Sequence, residues 1–233
     1  MIHQFERPDM FDKLKKKTCL SLFTYCGHDA YLKRSLQSIA PLKMFTIVTY
    51  HSHSGRLPPP DVTDLADVFV RVHPMHGGVA QTWLTHMKYQ AGIIQQFDFD
   101  YIFNMSGDCI LEKPAGINTL IKMMGSDDII AYWYAYNPRT GYGRIGTMAW
   151  LMRVKAFIDI AKESDIIWDD LKLAGGKAEE KAAKSAFRKG YTLAFEKGIE
   201  QHQFDYRLPP DQRGLFGDIV GLRHLQWEDR IKK

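Results

Sequence analysis

The sequence predicts an α/β protein, a mostly parallel, Rossmann-like sheet flanked by helices, and two observations predict it. Short apolar runs rich in β-branched and aromatic residues alternate with longer stretches of helical periodicity, the pattern of parallel strands joined by crossover helices. The run FDYIFNMSGDCIL at 99–111 is apolar without alternation, as a strand buried on both faces is, and it breaks at Ser106-Gly107-Asp108. Gly107 permits a turn and a close backbone approach there. Asp108 then emerges at a strand end, where ligands bind in open α/β sheets, in a position to meet a phosphate-bound metal.

Each element follows in order. Thr18 to Tyr25 reads as a strand, and after Gly27-His28-Asp29 the spacing of Leu32, Leu36 and Ile39 predicts a helix. Phe45 to Tyr50 is a second strand, running into His51-Ser52-His53-Ser54-Gly55 and the breaker Pro58-Pro59-Pro60. Asp67 to His73 is a third. Beyond Gly77 and Gly78, the positions Ala80, Trp83 or Leu84, Met87, Ala91 and Ile94 mark one face of a long helix reaching about Phe97, and the 99–111 run is the fourth strand. Pro114 opens a helix with Ile117, Leu120, Ile121 and Met124 inward, and Asp128 to Tyr136 reads as another strand. A glycine-rich stretch, 141–146, leads to a strand-like Thr147 to Met152, a helix near Lys155 to Lys162 and a charged helical block from about Lys177. No repeat, low-complexity segment or linker divides the chain, so residues 1–233 are expected to form a single domain.

Composition is that of a globular protein: 233 residues, 45% hydrophobic and 25% charged, with a net charge of +4. No apolar run has membrane-spanning length, and the start MIHQFERPDMF lacks the basic end and apolar centre of a signal peptide, so a cytoplasmic location is expected, the host cytoplasm if the protein is viral. Cys19, Cys26 and Cys109 fit neither a zinc-motif spacing nor a disulfide framework and read as reduced, buried thiols. The cluster Lys13, Lys15, Lys16 and Lys17 reads as a solvated flank of the first strand. Neither G-x-G-x-x-G nor G-x-x-x-x-G-K-[ST] follows a predicted strand, which argues against dinucleotide and P-loop chemistry.

Two patterns carry candidate functions on their own. His51 and His53 share a face if their strand continues, which permits a metal pair, with a polar loop as the alternative. Lys177, Lys181, Lys184 and Arg188 recur at spacings of four, three and four, a cationic stripe on one helical face with alanines and Phe187 available to pack behind it. Such a stripe suits a polyanion such as DNA or an anionic membrane carrying a glycan; a solvated helix face is the alternative.

With a glycine-initiated helix feeding the strand YIFNMSGDC, the order of elements resembles the nucleotide-sugar-dependent glycosyltransferases of the GT-A fold over roughly residues 18–160. In that family the strand end reads Asp-x-Asp; here Ser106 stands in place of the first acid and Asp108 keeps the second, the metal-binding one. The resemblance implies a donor half at about 18–112 and an acceptor half at about 113–233. It implies a nucleoside diphosphate sugar, most simply a UDP-sugar, as donor, with Mn²⁺ or Mg²⁺ at Asp108 and a further ligand from a C-terminal histidine, here His224. Tyr25 and Asp29 are implied as contacts to base and ribose, and Gly77, Gly78 and Ser106 as further donor-side positions. If the enzyme inverts, Asp169 or Asp170 is the implied base, with Asp218 and Glu228 in reserve. By analogy with phage enzymes of this general type, hydroxymethylated DNA bases are one acceptor and a glycan another. A non-catalytic sugar- or nucleic-acid-binding module of the same fold is the alternative reading.

Overall fold

The computed structural model describes residues 17–52, 56–72, 78–131, 134–137, 142–145, 149–174, 178–193, 219–225 and 229. Its centre is a six-stranded sheet of order β3-β2-β1-β4-β9-β6, built from β1 (Thr18–Tyr25), β2 (Thr46–His51), β3 (Val68–Val72), β4 (Tyr101–Ser106), β6 (Ile129–Ala131) and β9 (Ala149–Arg153). β1 pairs parallel with β2 and β4, and β2 with β3, whereas β9 pairs antiparallel with both β4 and β6. The sheet is therefore mixed, with the expected parallel strands as its larger part and one reversed strand among them. Five strands run one way, and the reversed β9 is inserted between two of them.

Alternation along the strands divides the core into two layers. Leu20 and Leu22 of β1, Phe103 and Met105 of β4, and Leu151 of β9 face α1 (Asp29–Ile39) and α4 (Gly116–Met124). Leu32, Leu36 and Ile39 of α1 are buried there, each contributing about 1.5–3 kcal/mol relative to exposure. On the other face Phe23, Ile47, Ile102, Trp150 and Met152 meet α3 (Gly78–Ile94), α5 (Val154–Lys162), α6 (Ser164–Ala174) and α7 (Ala178–Arg188). The expected apolar positions Trp83, Leu84, Met87, Ala91 and Ile94 of α3 are all buried. A short α2 (Pro60–Thr63) precedes β3.

One polar seam interrupts the second layer. Gln90 Nε2 donates to Leu22 O at 3.2 Å and to Thr49 Oγ1 at 3.0 Å, and Asn104 Nδ2 donates to Gln90 Oε1 at 2.8 Å. These bonds offset much of the desolvation of three fully buried polar side chains, Asn104 Oδ1 alone among the seam's side-chain atoms being left without a partner among the described residues, and fix α3 against three strands at once.

The segment expected as one strand from Asp128 to Tyr136 is two. Ile129–Ala131 joins the main sheet as β6, and β7 (Tyr134–Asn137) pairs antiparallel with β8 (Tyr142–Ile145), inside the glycine-rich stretch. α6 is a helix beyond those the sequence spacing predicts. The last described segment returns to the centre, where β10 (Leu222–His224) pairs antiparallel with β5 (Cys109–Leu111). Among the described residues no helix is long and apolar enough to cross a membrane, and all three cysteines are free thiols.

Candidate functional site

The strand order places a topological switch point at the carboxyl ends of β1 and β4. The chain moves outward from β1 to β2 and β3, then crosses back to β4 on the other side of β1, so the connections from β1 and β4 run toward opposite edges of the sheet. This switch point is where open α/β sheets bind ligands. Phe23 is registered with both Thr49 and Ser106, and Tyr25 with His51. Gly107 and Asp108 therefore lie beside the end of β1.

Local sequence explains why the turn is so tight. Gly107 N donates to Phe23 O at 2.8 Å, and a Cβ on residue 107 would stand 2.7 Å from Thr24 Cβ and 3.3 Å from Leu32 Cδ1. Only glycine lets β4 turn into β5 against β1 and α1. The turn delivers Asp108 with its side chain 8% exposed, and Ser106 Oγ donates to its Oδ1 at 2.5 Å. The residue at the first position of the motif thus orients the carboxylate.

The C-terminal segment completes the site. Leu225 N donates to Asp108 O, Glu112 N to Gly221 O and Lys113 N to Val220 O, while Arg223 pairs with Glu112 at 2.6 Å. Gly221 holds φ +60°, and a Cβ there would meet Glu112 Cβ at 2.8 Å, so the approach of this segment depends on glycine as well. The result places His224 Nε2 3.3 Å from Asp108 Oδ2. Asp108, Cys109 and His224 offer ligand atoms all within 4.8 Å of one another, the one such group of three among the described residues. A carboxylate and an imidazole at 3.3 Å suit one divalent cation, because donors each about 2.0–2.2 Å from an ion span that gap at roughly a tetrahedral angle.

Rings gather around Tyr25. Its ring meets those of His28, His51 and His86 edge-on, with centroids 6.1, 5.9 and 6.0 Å away. Burial, and secondarily the Asp108 charge, push the Tyr25 phenol up to about 12, so it stays a neutral donor. His51, whose spacing permits a pair with His53, ends β2 and joins this cluster; His53 lies outside the described residues. His86 went unrecognised in the sequence. Its signal was positional, since it lies four residues before Gln90 on the inner face of α3. It is fully buried and its ring nitrogens have no hydrogen-bond partner among the described residues. Burial, then His51, push its imidazole down to about 3.

The other expected site residues are distributed as follows. Asp29 stands in the first turn of α1, and Tyr50 Oη donates to its Oδ1 at 2.8 Å. Gly78 begins α3, and Gly77 lies outside the described residues. Asp169 is exposed on α6, which packs against α3 and α7; the side chain of Asp170, and Asp218 and Glu228, lie outside the described part. In α7 the expected packing face is observed, with Ala178, Ala182, Ala183 and Ala186 buried. Lys181 and Lys184 are half-buried, Lys177 lies outside the described residues, and Arg188 Nη2 donates to Glu163 Oε2 at 2.6 Å. The Arg188 charge thus ties α7 to the end of α5.

No protein-family model matches the chain, and no curated protein does. Among the solved structures similar to it is that of a candidate nucleotide-diphospho-sugar transferase from Desulfovibrio desulfuricans G20. It is 13% identical, with a TM-score of 0.49 over 76% of this chain and 78% of the other.

Proposed function

We propose that this protein is a glycosyltransferase that uses a nucleoside diphosphate sugar, with a divalent cation, Mn²⁺ or Mg²⁺, held by Asp108 and His224. The observation that carries the reading is the meeting of these two side chains, 3.3 Å apart, by the switch point at the carboxyl ends of β1 and β4. A diphosphate leaving group develops negative charge as the sugar departs, and a bound divalent cation supplies the Lewis acidity that stabilises it.

The chain's own groups have defined tasks in this reading. Ser106 holds the Asp108 carboxylate so that Oδ2 faces His224, and the β5–β10 pairing fixes the imidazole. Tyr25, kept protonated, offers a ring face and a hydroxyl to the nucleoside. Asp29, positioned by Tyr50, offers its second oxygen to ribose hydroxyls. Gly77 and Gly78 are assigned to the donor side in this reading. If the sugar is transferred with inversion, Asp169 or Asp170 takes the acceptor proton.

On the acceptor side the reading is a polyanion followed by α7 through Lys181 and Lys184, with Lys177 extending the track. Modified DNA is placed ahead of an anionic glycan. Arg188 is held against Glu163, a carboxylate it shares with Lys189.

The test is a thermal-shift screen of nucleotide-sugars with and without Mn²⁺, followed by an assay for released nucleoside diphosphate. A UDP-sugar that raises Tm only with the cation, and is then hydrolysed or transferred, supports the reading. Binding without any nucleoside diphosphate release would make this a sugar-binding module, and no response to any nucleotide-sugar would overturn the donor site.

A further inference from the structure

Cys109 is the third donor of the cluster and has no task in the chemistry above. β5 and β10 pair with Cys109 directly opposite His224, and residues opposite one another in an antiparallel pair project from the same face. Their side chains therefore converge, while Asp108 enters from the preceding turn. The thiol is fully buried, with Sγ 4.0 Å from Asp108 Oδ1. The three ligand atoms lie within 4.8 Å of one another. A tetrahedral zinc ion draws sulfur, nitrogen and oxygen ligands to roughly 3.3–3.7 Å apart, a contraction on the order of an ångström from the observed set.

We propose that Asp108, Cys109 and His224 form a thiolate-containing site for a thiophilic divalent cation of the zinc class. Sulfur decides the class: a thiolate adds little for Mg²⁺ or Mn²⁺, which prefer oxygen, and much for Zn²⁺ or Co²⁺. On binding, the Cys109 S–H bond breaks, its proton leaves to solvent and the sulfur lone pair forms the metal bond, with no change of oxidation state. Three protein ligands leave a four-coordinate ion one open position. A diphosphate finds fewer open positions on such an ion than on a hard cation held by Asp108 and His224 alone, so the zinc-class form competes with the hard cation for these ligands and holds the donor less well. That competition rests on the donor-site reading above; the site itself rests on the three side chains.

The test titrates the metal-free full-length chain with Co²⁺ and records its absorption, then displaces Co²⁺ with Zn²⁺. One equivalent of cobalt with intense tetrahedral d–d bands and a sulfur-to-cobalt charge-transfer band, both erased by Zn²⁺, is the expected result. Cys109→Ser, shown folded by its melting profile, should lose the charge-transfer band and bind Zn²⁺ about 100-fold or more weakly, and Cys109→Ala should behave alike. A weak octahedral spectrum without the sulfur band, or unchanged Zn²⁺ affinity in both folded variants, would overturn the proposal. Stabilisation by UDP-sugar with Mn²⁺, measured in wild type and Cys109→Ser, separates the two readings. If it persists in both while the sulfur band is missing in the wild type, the thiolate site falls and the donor site stands; if the band is present but Mn²⁺ and UDP-sugar have no effect, the donor site falls.

Discussion

Replacing Asp108 by asparagine removes one negative charge and almost nothing else. The side chain is 8% exposed, Oδ1 accepts from Ser106 Oγ, and the backbone carbonyl accepts from Leu225 N. An amide of the same shape keeps both bonds, provided its oxygen faces the serine. What disappears is the charge facing His224 Nε2 at 3.3 Å. A hydrogen bond to a charged group contributes about 1.5–3 kcal/mol and a neutral one about 0.5–1.5 kcal/mol, so the expected loss of stability is about 1–2 kcal/mol. For a chain of this length that is roughly 2–8 °C in Tm. Turnover should fall much further, because a preorganised group acting on developing transition-state charge is worth about 10²–10³-fold, or about 2.7–4 kcal/mol. The assay is release of nucleoside diphosphate from a UDP-sugar at saturating Mn²⁺, read beside a thermal melt. A folded Asp108→Asn protein that turns over within about threefold of wild type would refute the assignment.

The remaining expectations concern the metal ligand, the turn, the buried histidine and the acceptor track. His224→Ala should raise the Mn²⁺ concentration for half-maximal activity by about 10-fold or more with a small change in Tm; an unshifted Mn²⁺ titration would return His224 to a packing role. Gly107→Ala should cost about 1–3 kcal/mol in urea unfolding, because its Cβ meets Thr24 Cβ at 2.7 Å and the turn must move; an unchanged midpoint would show that the turn relaxes freely. His86 is held down to about 3 when folded and titrates near 6.5 when unfolded, so between these values the unfolded chain binds the extra proton and stability falls as pH drops. At pH 5 this amounts to about 2 kcal/mol relative to pH 7, and in His86→Leu the pH dependence should shrink by that amount; an equally steep dependence would place the titration elsewhere. Reversing Lys181 and Lys184 to Glu should weaken duplex DNA binding and flatten its salt dependence while donor hydrolysis persists; unaffected DNA binding would remove α7 from the acceptor side.

Much of this protein is determined locally, and that part was legible without coordinates. Continuous apolar runs specify the buried strands β1, β2 and β4, and helical spacing specifies the inner faces of α1, α3 and α4, because burial selects side chains at periods that show in the sequence. The break at Ser106-Gly107-Asp108 likewise announced a turn with a carboxylate at a strand end. Position within the sheet is a different matter. The insertion of β9 between β4 and β6 depends on which faces fit one another across the chain, and strands of three to five residues carry too little periodicity to reveal their partners. The same holds at the site. Resemblance had suggested His224 as a partner for Asp108, but the three-residue β10 pairing with β5 is what brings them together, with Cys109 beside them. The fate of Arg188 was equally nonlocal, since its spacing marks a cationic face and only the packing of α7 on α5 supplies Glu163 as its counter-charge. Periodicity records which side of an element is buried; which elements meet is decided by tertiary packing, because the contacts that select a partner lie far apart along the chain.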